Sequence, residues 1–187
     1  MLARLCPPAT VTLPVLCLAL ALSGCVTAKI ESQRDDSFAK EISRVYVHSS
    51  FGMEDQELAA EFSIAILHEF SILGITTQTA ESDPLALEEQ EEEVVAEAIA
   101  EFVPTVVLML KQTERGRSFS PGAPGMPGSM SSEAAYDASL YDAETMRRVW
   151  RAQVSTSGDA VLTTGEGTAK KLAAAIAKRM QEDGLIG

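Results

Sequence analysis

Few side chains in this 187-residue sequence have a type and spacing that could do chemistry. His48 and His68 lack a third partner at metal-ligand spacing, so no metal centre is expected from them. Ser49 or Ser50 with His68 and a carboxylate would supply the parts of a hydrolase, but no Gly-x-Ser-x-Gly turn presents a serine. The acidic run at 88–93 does not have the spacing of a calcium loop and suits a solvated helix face. Gly165-Glu166-Gly167 stands just ahead of a helical pattern, where the glycines could accept an anion or simply shape the helix entrance. No catalytic set, metal or cofactor is expected from these groups. What remains is the thiol chemistry of Cys6, Cys17 and Cys25.

The setting of those cysteines decides their use. Arg4 and the amino terminus make a short positive start, and residues 11–22 then run almost without a polar side chain, which is the layout of a secretory signal. That stretch is shorter than the roughly 20 apolar residues a membrane-spanning helix needs, and it contains Pro14, so removal is expected rather than retention. It ends in Leu22-Ser23-Gly24-Cys25, which resembles the lipobox of bacterial prolipoproteins. The resemblance implies cleavage between Gly24 and Cys25 and attachment of diacylglycerol to Cys25, with two or three acyl chains in all. Cys6 and Cys17 would leave with the signal, making Cys25 the sole thiol of the mature chain and excluding an internal disulfide. Val26 stands where many inner-membrane lipoproteins carry Asp, so by the same resemblance the outer membrane is favoured.

Charge narrows the partners. The sequence carries 27 acidic and 15 basic residues, a net charge of -12, and loss of Arg4 with the signal makes it one unit more negative. Such a chain repels nucleic acid phosphates and cannot hold an anionic membrane by basic residues, leaving membrane attachment to lipid on Cys25.

The elements follow from period and punctuation. Residues 25–41 are polar without a sustained apolar period and read as the lipidated cysteine and a tether, with one α/β domain over 42–187. Within it, 44–49 alternate as a strand. A helical stripe of Leu58, Phe62, Ala65, Ile66 and Phe70 follows, closed by Gly74. The β-branched residues at 75–79 make a second strand. Asp83-Pro84 starts a second helix that Pro104 stops, and 105–110 (TVVLML) reads as a central strand buried on both faces. Residues 118–132, rich in proline and glycine, read as a flexible loop. Residues 134–141 and 147–156 form an antiparallel hairpin, and a helix from about 166 to 183 ends at Gly184. The order βαβαβββα predicts an α/β or α+β domain with a mixed sheet of about five strands and about three helices.

The hairpin SLYDAETMRRVWRAQVSTSG carries the one further resemblance: its turn, D-x-x-T followed by V-W, is similar to an element of small periplasmic lipoproteins of the LpoB-type penicillin-binding-protein activators and the CsgG-like group. The long proline-rich tether of the former is absent, and no alternating segment looks long enough for the membrane hairpins of the latter. The resemblance implies a non-enzymatic, lipid-anchored accessory protein facing the periplasm that docks to another envelope protein. Tyr141, Asp142 and Trp150 are its candidate partner-binding residues, although a lone Trp in an alternating strand is also a core residue. A subunit of a transport or secretion assembly and an envelope enzyme remain the other two readings.

Overall fold

In the computed structural model, residues 26–81, 88–121, 128–159 and 164–187 are described. The signal segment with Gly24 and Cys25, the Asp83-Pro84 helix start and the centre of the proline-rich segment lie outside them. The elements are β1 (Thr27–Arg34), β2 (Arg44–Ser50), α1 (Gln56–Ile72), β3 (Thr76–Glu81), α2 (Glu88–Phe102), β4 (Val106–Ser120), β5 (Ser129–Asp142), β6 (Arg148–Asp159) and α3 (Gly165–Glu182), with a 3-10 turn at Met53–Asp55. The strands make one mixed sheet in the order β1-β6-β5-β4-β2-β3. β4, β2 and β3 run parallel, as two strand-helix-strand units require, and the pairs β4/β5, β5/β6 and β6/β1 are antiparallel.

α1 and α3 lie against each other and share one face of the sheet. The helical stripe expected for α1 is the buried one: Leu58, Phe62, Ala65, Ile66 and Phe70 all enter the core. On α3, Leu172, Ile176 and Met180 are buried as expected, but Ala169, Ala173 and Ala177 complete the face in place of Ala175. Small residues one turn apart let the two helices approach closely. Both helices end in a Schellman arrangement. Gly74 and Gly184 adopt φ of +73° and +66°, where a side chain would be strained, and the residues after them, Ile75 and Leu185, donate back to Phe70 and Met180 at 3.0 and 2.9 Å. α2 contacts β2, and the Arg44 guanidinium at the start of β2 lies 4.4 Å from the Phe102 ring. On β4, Val106, Val107, Leu108 and Leu110 are all buried, the central strand that TVVLML predicts.

Two expectations fail, and both failures matter. Residues 26–41 are not a tether: β1 pairs with β6 along its whole length, and Val26, Phe38 and Ile42 are buried, so the fold reaches back at least to residue 26 and the sheet has six strands among the described residues. An edge strand needs little apolar surface, and here Ile30 supplies it against the core while alternate residues stay exposed. The 118–132 segment is not loop throughout. β4 continues to Ser120 and β5 begins at Ser129, with Phe119 opposite Met130 and the Ser118 and Ser131 hydroxyls 2.6 Å apart. The outcome is a hairpin with arms of 15 and 14 residues. Its outer part faces solvent, so backbone pairing holds it and no hydrophobic alternation marks it in the sequence.

Candidate functional site

Of the three residues expected to meet a partner, two are built into the fold. Asp142 ends β5 and is 4% exposed. Its Oδ1 accepts from the backbone of Glu144 and Thr145 at 3.0 and 2.9 Å and from the Thr145 hydroxyl at 3.1 Å. This is the physical content of the D-x-x-T turn, in which an aspartate side chain satisfies the amides that the reversing chain leaves unpaired. Its Oδ2 meets Lys40 Nζ at 2.7 Å, drawing the segment between β1 and β2 onto the turn. Burial works to raise the pKa of Asp142, but the bonds from Lys40 and Thr145 outweigh it and hold the carboxyl at about 2.

Trp150, on β6, is 1% exposed, and its Nε1 donates to Asp183 Oδ2 at 2.7 Å. It is therefore a core residue rather than part of a docking surface. Asp183 closes α3 and collects bonds from three elements: Trp150, Ser32 of β1 at 2.6 Å, and Arg179 of α3 itself at 3.2 Å, while its backbone carbonyl accepts from Arg34. A carboxylate at the negative end of a helix dipole needs such company. Burial opposes its ionisation, yet the Ser32 and Trp150 bonds with the Arg179 charge hold its pKa below the usual range. This cluster bolts β1, β6 and α3 together. No residue pattern marks it, because Ser32 and Arg34 fall in the supposed tether. Tyr141 is half-buried at the register shift between β5 and β6.

The groups considered for catalysis do not assemble into a set. His48 and Ser49 are buried on β2, whereas His68 is exposed on α1. Among the described residues, no cluster of three or more His, Cys, Asp or Glu side chains could hold a metal, and no helix is long and apolar enough to cross a membrane.

The opposite end of α3 opens a cleft of about 150 Å³. It lies between the first turn of α3, the outer half of the β4/β5 hairpin, the end of β6, and Val26. A β-bulge between Gln112 and Glu114 builds one wall. Up to Gln112, alternate β4 residues face the helices, and the extra residue then shifts the phase so that Arg115 and Arg117, rather than Glu114 and Gly116, line the cleft. Asp55, from the 3-10 turn, receives Gln112 Nε2 at 2.9 Å and Arg115 Nη1 at 2.5 Å, and Glu54 lies 3.7 Å from the same arginine. At the floor is Tyr136, 1% exposed and edge-on to Phe51. Its hydroxyl has no hydrogen bond of good geometry among the described residues, although Thr156 is near enough to influence its ionisation. Thr164 caps α3, its hydroxyl accepting from Gly167 at 3.1 Å. The sequence pointed to the Gly165-Glu166-Gly167 end of this cleft but not to the arginines, whose placement depends on the bulge.

No protein-family model matches the chain, and no curated protein matches it. Solved structures do. It is similar to the PelC dodecamer from Paraburkholderia phytofirmans, with a TM-score of 0.50 and 14% identity over 83% of this chain and 98% of that one. A PelC variant from the same organism gives 0.51 and 14% over 79% and 95%. Lipoprotein GNA1162 from Neisseria meningitidis gives 0.45 and 15% over 75% and 99%. At these identities the likeness to PelC is one of fold.

Proposed function

We propose that this chain is a lipid-anchored accessory protein of the bacterial envelope, held to the outer membrane through Cys25, with its domain facing the periplasm, and acting by docking to another envelope protein rather than by catalysis. The observation that carries the reading is the start of β1. The lipobox cysteine stands two residues before Thr27, within about 7 Å along the chain, so an acylated Cys25 seats the domain directly on the bilayer. Thr27, Ser157, Glu133 and Gly116 stand in one row across four strands. The hairpin continues past that row on the anchor's side, ending in the exposed Phe119 and Met130. The test is labelling with radioactive palmitate followed by membrane fractionation. The wild-type chain takes the label and sediments with membranes, and Cys25→Ala does neither; an unlabelled, soluble wild type overturns the anchor. Crosslinking in intact cells that recovers no protein partner overturns the docking role.

A second reading, a subunit of a homo-oligomeric envelope assembly, draws on the dodecameric state of the PelC structures that share the fold. It is favoured by the outer edge of β3, which is unpaired among the described residues and carries one charge, Glu81, in TTQTAE, whereas β1 protects its own edge with Lys29, Glu31 and Arg34. Sedimentation of the detergent-extracted protein as a monomer at high concentration overturns it.

A further inference from the structure

We propose that the outer end of the β4/β5 hairpin is a second membrane contact, in which Phe119 and Met130 sit at the boundary between headgroups and acyl chains of the bilayer that holds the lipid on Cys25. The inference rests on the anchor proposed above and adds what fixes the orientation of the domain. β1 leads away from Cys25, and its first residue shares a row with Ser157, Glu133 and Gly116. Residues before Thr27 and hairpin residues beyond that row therefore stand at the same end of the sheet. Cys25 is two residues beyond the row, within about 7 Å, and Phe119 and Met130 are three residues beyond it, about 10 Å along the strands. Three interstrand spacings, roughly 14 Å, separate β1 from β4. A domain anchored at Cys25 and standing along its strands brings the apolar pair to the depth of the anchor.

The chemistry of that end suits a lipid surface. Phe119 and Met130 are directly opposed, so they share a face, and they are 66% and 42% exposed. The Phe119 ring lies so close over Gly128 that a Cβ there would stand 2.7 Å from it, which holds the ring while most of it stays open to solvent. Backbone pairing runs on through Ser120 and Ser129, and the Ser118 and Ser131 hydroxyls meet at 2.6 Å. The two arms thus carry their own hydrogen bonds into a medium that offers few. Arg117 follows on the same face two residues nearer the body, about 7 Å back, exposed and with no ion-pair partner among the described residues. With the apolar pair at the boundary, its guanidinium reaches the level of the headgroup phosphates. The contact is shallow, because one apolar pair is far short of the roughly 9–11 residues of a membrane-spanning strand.

The test uses the lipidated chain, purified in detergent and reconstituted into liposomes of phosphatidylethanolamine and phosphatidylglycerol, with or without lipids that carry a nitroxide quencher on the acyl chain. Cys25 is acylated and is the sole thiol after the signal is removed, so Ser129→Cys and Ile72→Cys each offer one site for a fluorescent dye. Ile72 is 67% exposed at the carboxyl end of α1, just before β3, whose Thr76 lies in the row of Arg44, at the opposite end of the sheet. The expected result is flotation of both with the liposomes, loss of most of the Ser129→Cys dye emission to the quencher, and no loss from Ile72→Cys. Adding Phe119→Ser and Met130→Ser restores the Ser129→Cys emission. Both positions are outside the core, and circular dichroism checks that the fold is kept. A chain that floats with an unquenched Ser129→Cys dye, or whose quenching survives both serines, overturns the second contact and leaves the anchor standing. An unquenched dye together with a crosslink from position 119 to an envelope protein assigns the tip to a protein partner instead. Quenching at both dye positions places the domain on its side and also overturns the proposal. A chain that does not float overturns the anchor and the contact with it.

Discussion

Asp142→Asn isolates one charge at the hairpin turn. The carboxyl is almost wholly buried and has a pKa of about 2 against an ordinary 3.8. At about 1.36 kcal/mol per pKa unit, ionisation of Asp142 stabilises the fold by roughly 2 kcal/mol, an upper figure because the Lys40 ammonium is half-exposed and partly screened. Asparagine keeps the shape and can still accept from the Thr145 amide, but like the protonated acid it cannot pair with Lys40. The sign follows from a folded-state pKa depressed below the unfolded one: the stabilisation is fully present above pH 4 and disappears as pH falls through about 2. Denaturation in urea from pH 7 to pH 2.5 can be followed by the fluorescence of Trp150, the only tryptophan and a buried one. Asp142→Asn unfolds more easily by about 1–2 kcal/mol at pH 7, and the two curves converge toward pH 2.5. A difference that stays constant over the whole range refutes the electrostatic account and leaves only turn geometry.

Trp150→Phe removes the donor to Asp183 and part of the core, so it costs about 2 kcal/mol or more in thermal unfolding followed by circular dichroism. Gly184→Ala places a methyl at a φ of +66° and 3.0 Å from Arg34, costing about 1–2 kcal/mol, whereas Gly116→Ala, with nothing within 4 Å, is near neutral. Leu140→Ala, fully buried near the end of β5, costs about 2–5 kcal/mol in the same assay. Hydrogen exchange finds β1 amides that pair with β6 protected to a degree comparable with those of β6 itself; free exchange from residue 26 to 34 would restore the tether reading.

What was legible in the sequence was whatever the core demands. The stripe on α1, the doubly buried run at 106–110 and the glycines at 74 and 184 each leave a periodic or steric mark, and each stands where that mark puts it. The D-x-x-T turn was legible too, but its meaning was not: an aspartate that binds its own turn looks the same in sequence as one offered to a partner. The strands that escaped detection are held by backbone pairing. β1 and the outer hairpin have few apolar side chains to alternate, and their partners lie far along the chain, with Thr27 opposite Ser157. The cleft was illegible for a different reason. Its arginines reach the helix face only through a one-residue bulge, which reverses the facing of every later residue on β4 and has no signature in KQTERGRSFS.

Placing β1 in the sheet changes what an anchor at Cys25 would do. A lipid attached through a loose tether would leave slack between the membrane and the domain. Attached two residues before an eight-residue edge strand, it pulls along the strand axis, so the β1/β6 bonds are loaded together in shear rather than opened one at a time. The far end of β1 is fixed by Ser32 and Arg34 to Asp183 and thus to both Trp150 and α3. With an anchor at Cys25, the bonds from Ser32 and Arg34 to Asp183 would form the joint between anchor and core. Ser32→Ala and Arg34→Gln should weaken that joint while leaving the α1/α3 core in place, which makes them the substitutions that separate anchoring strength from folding.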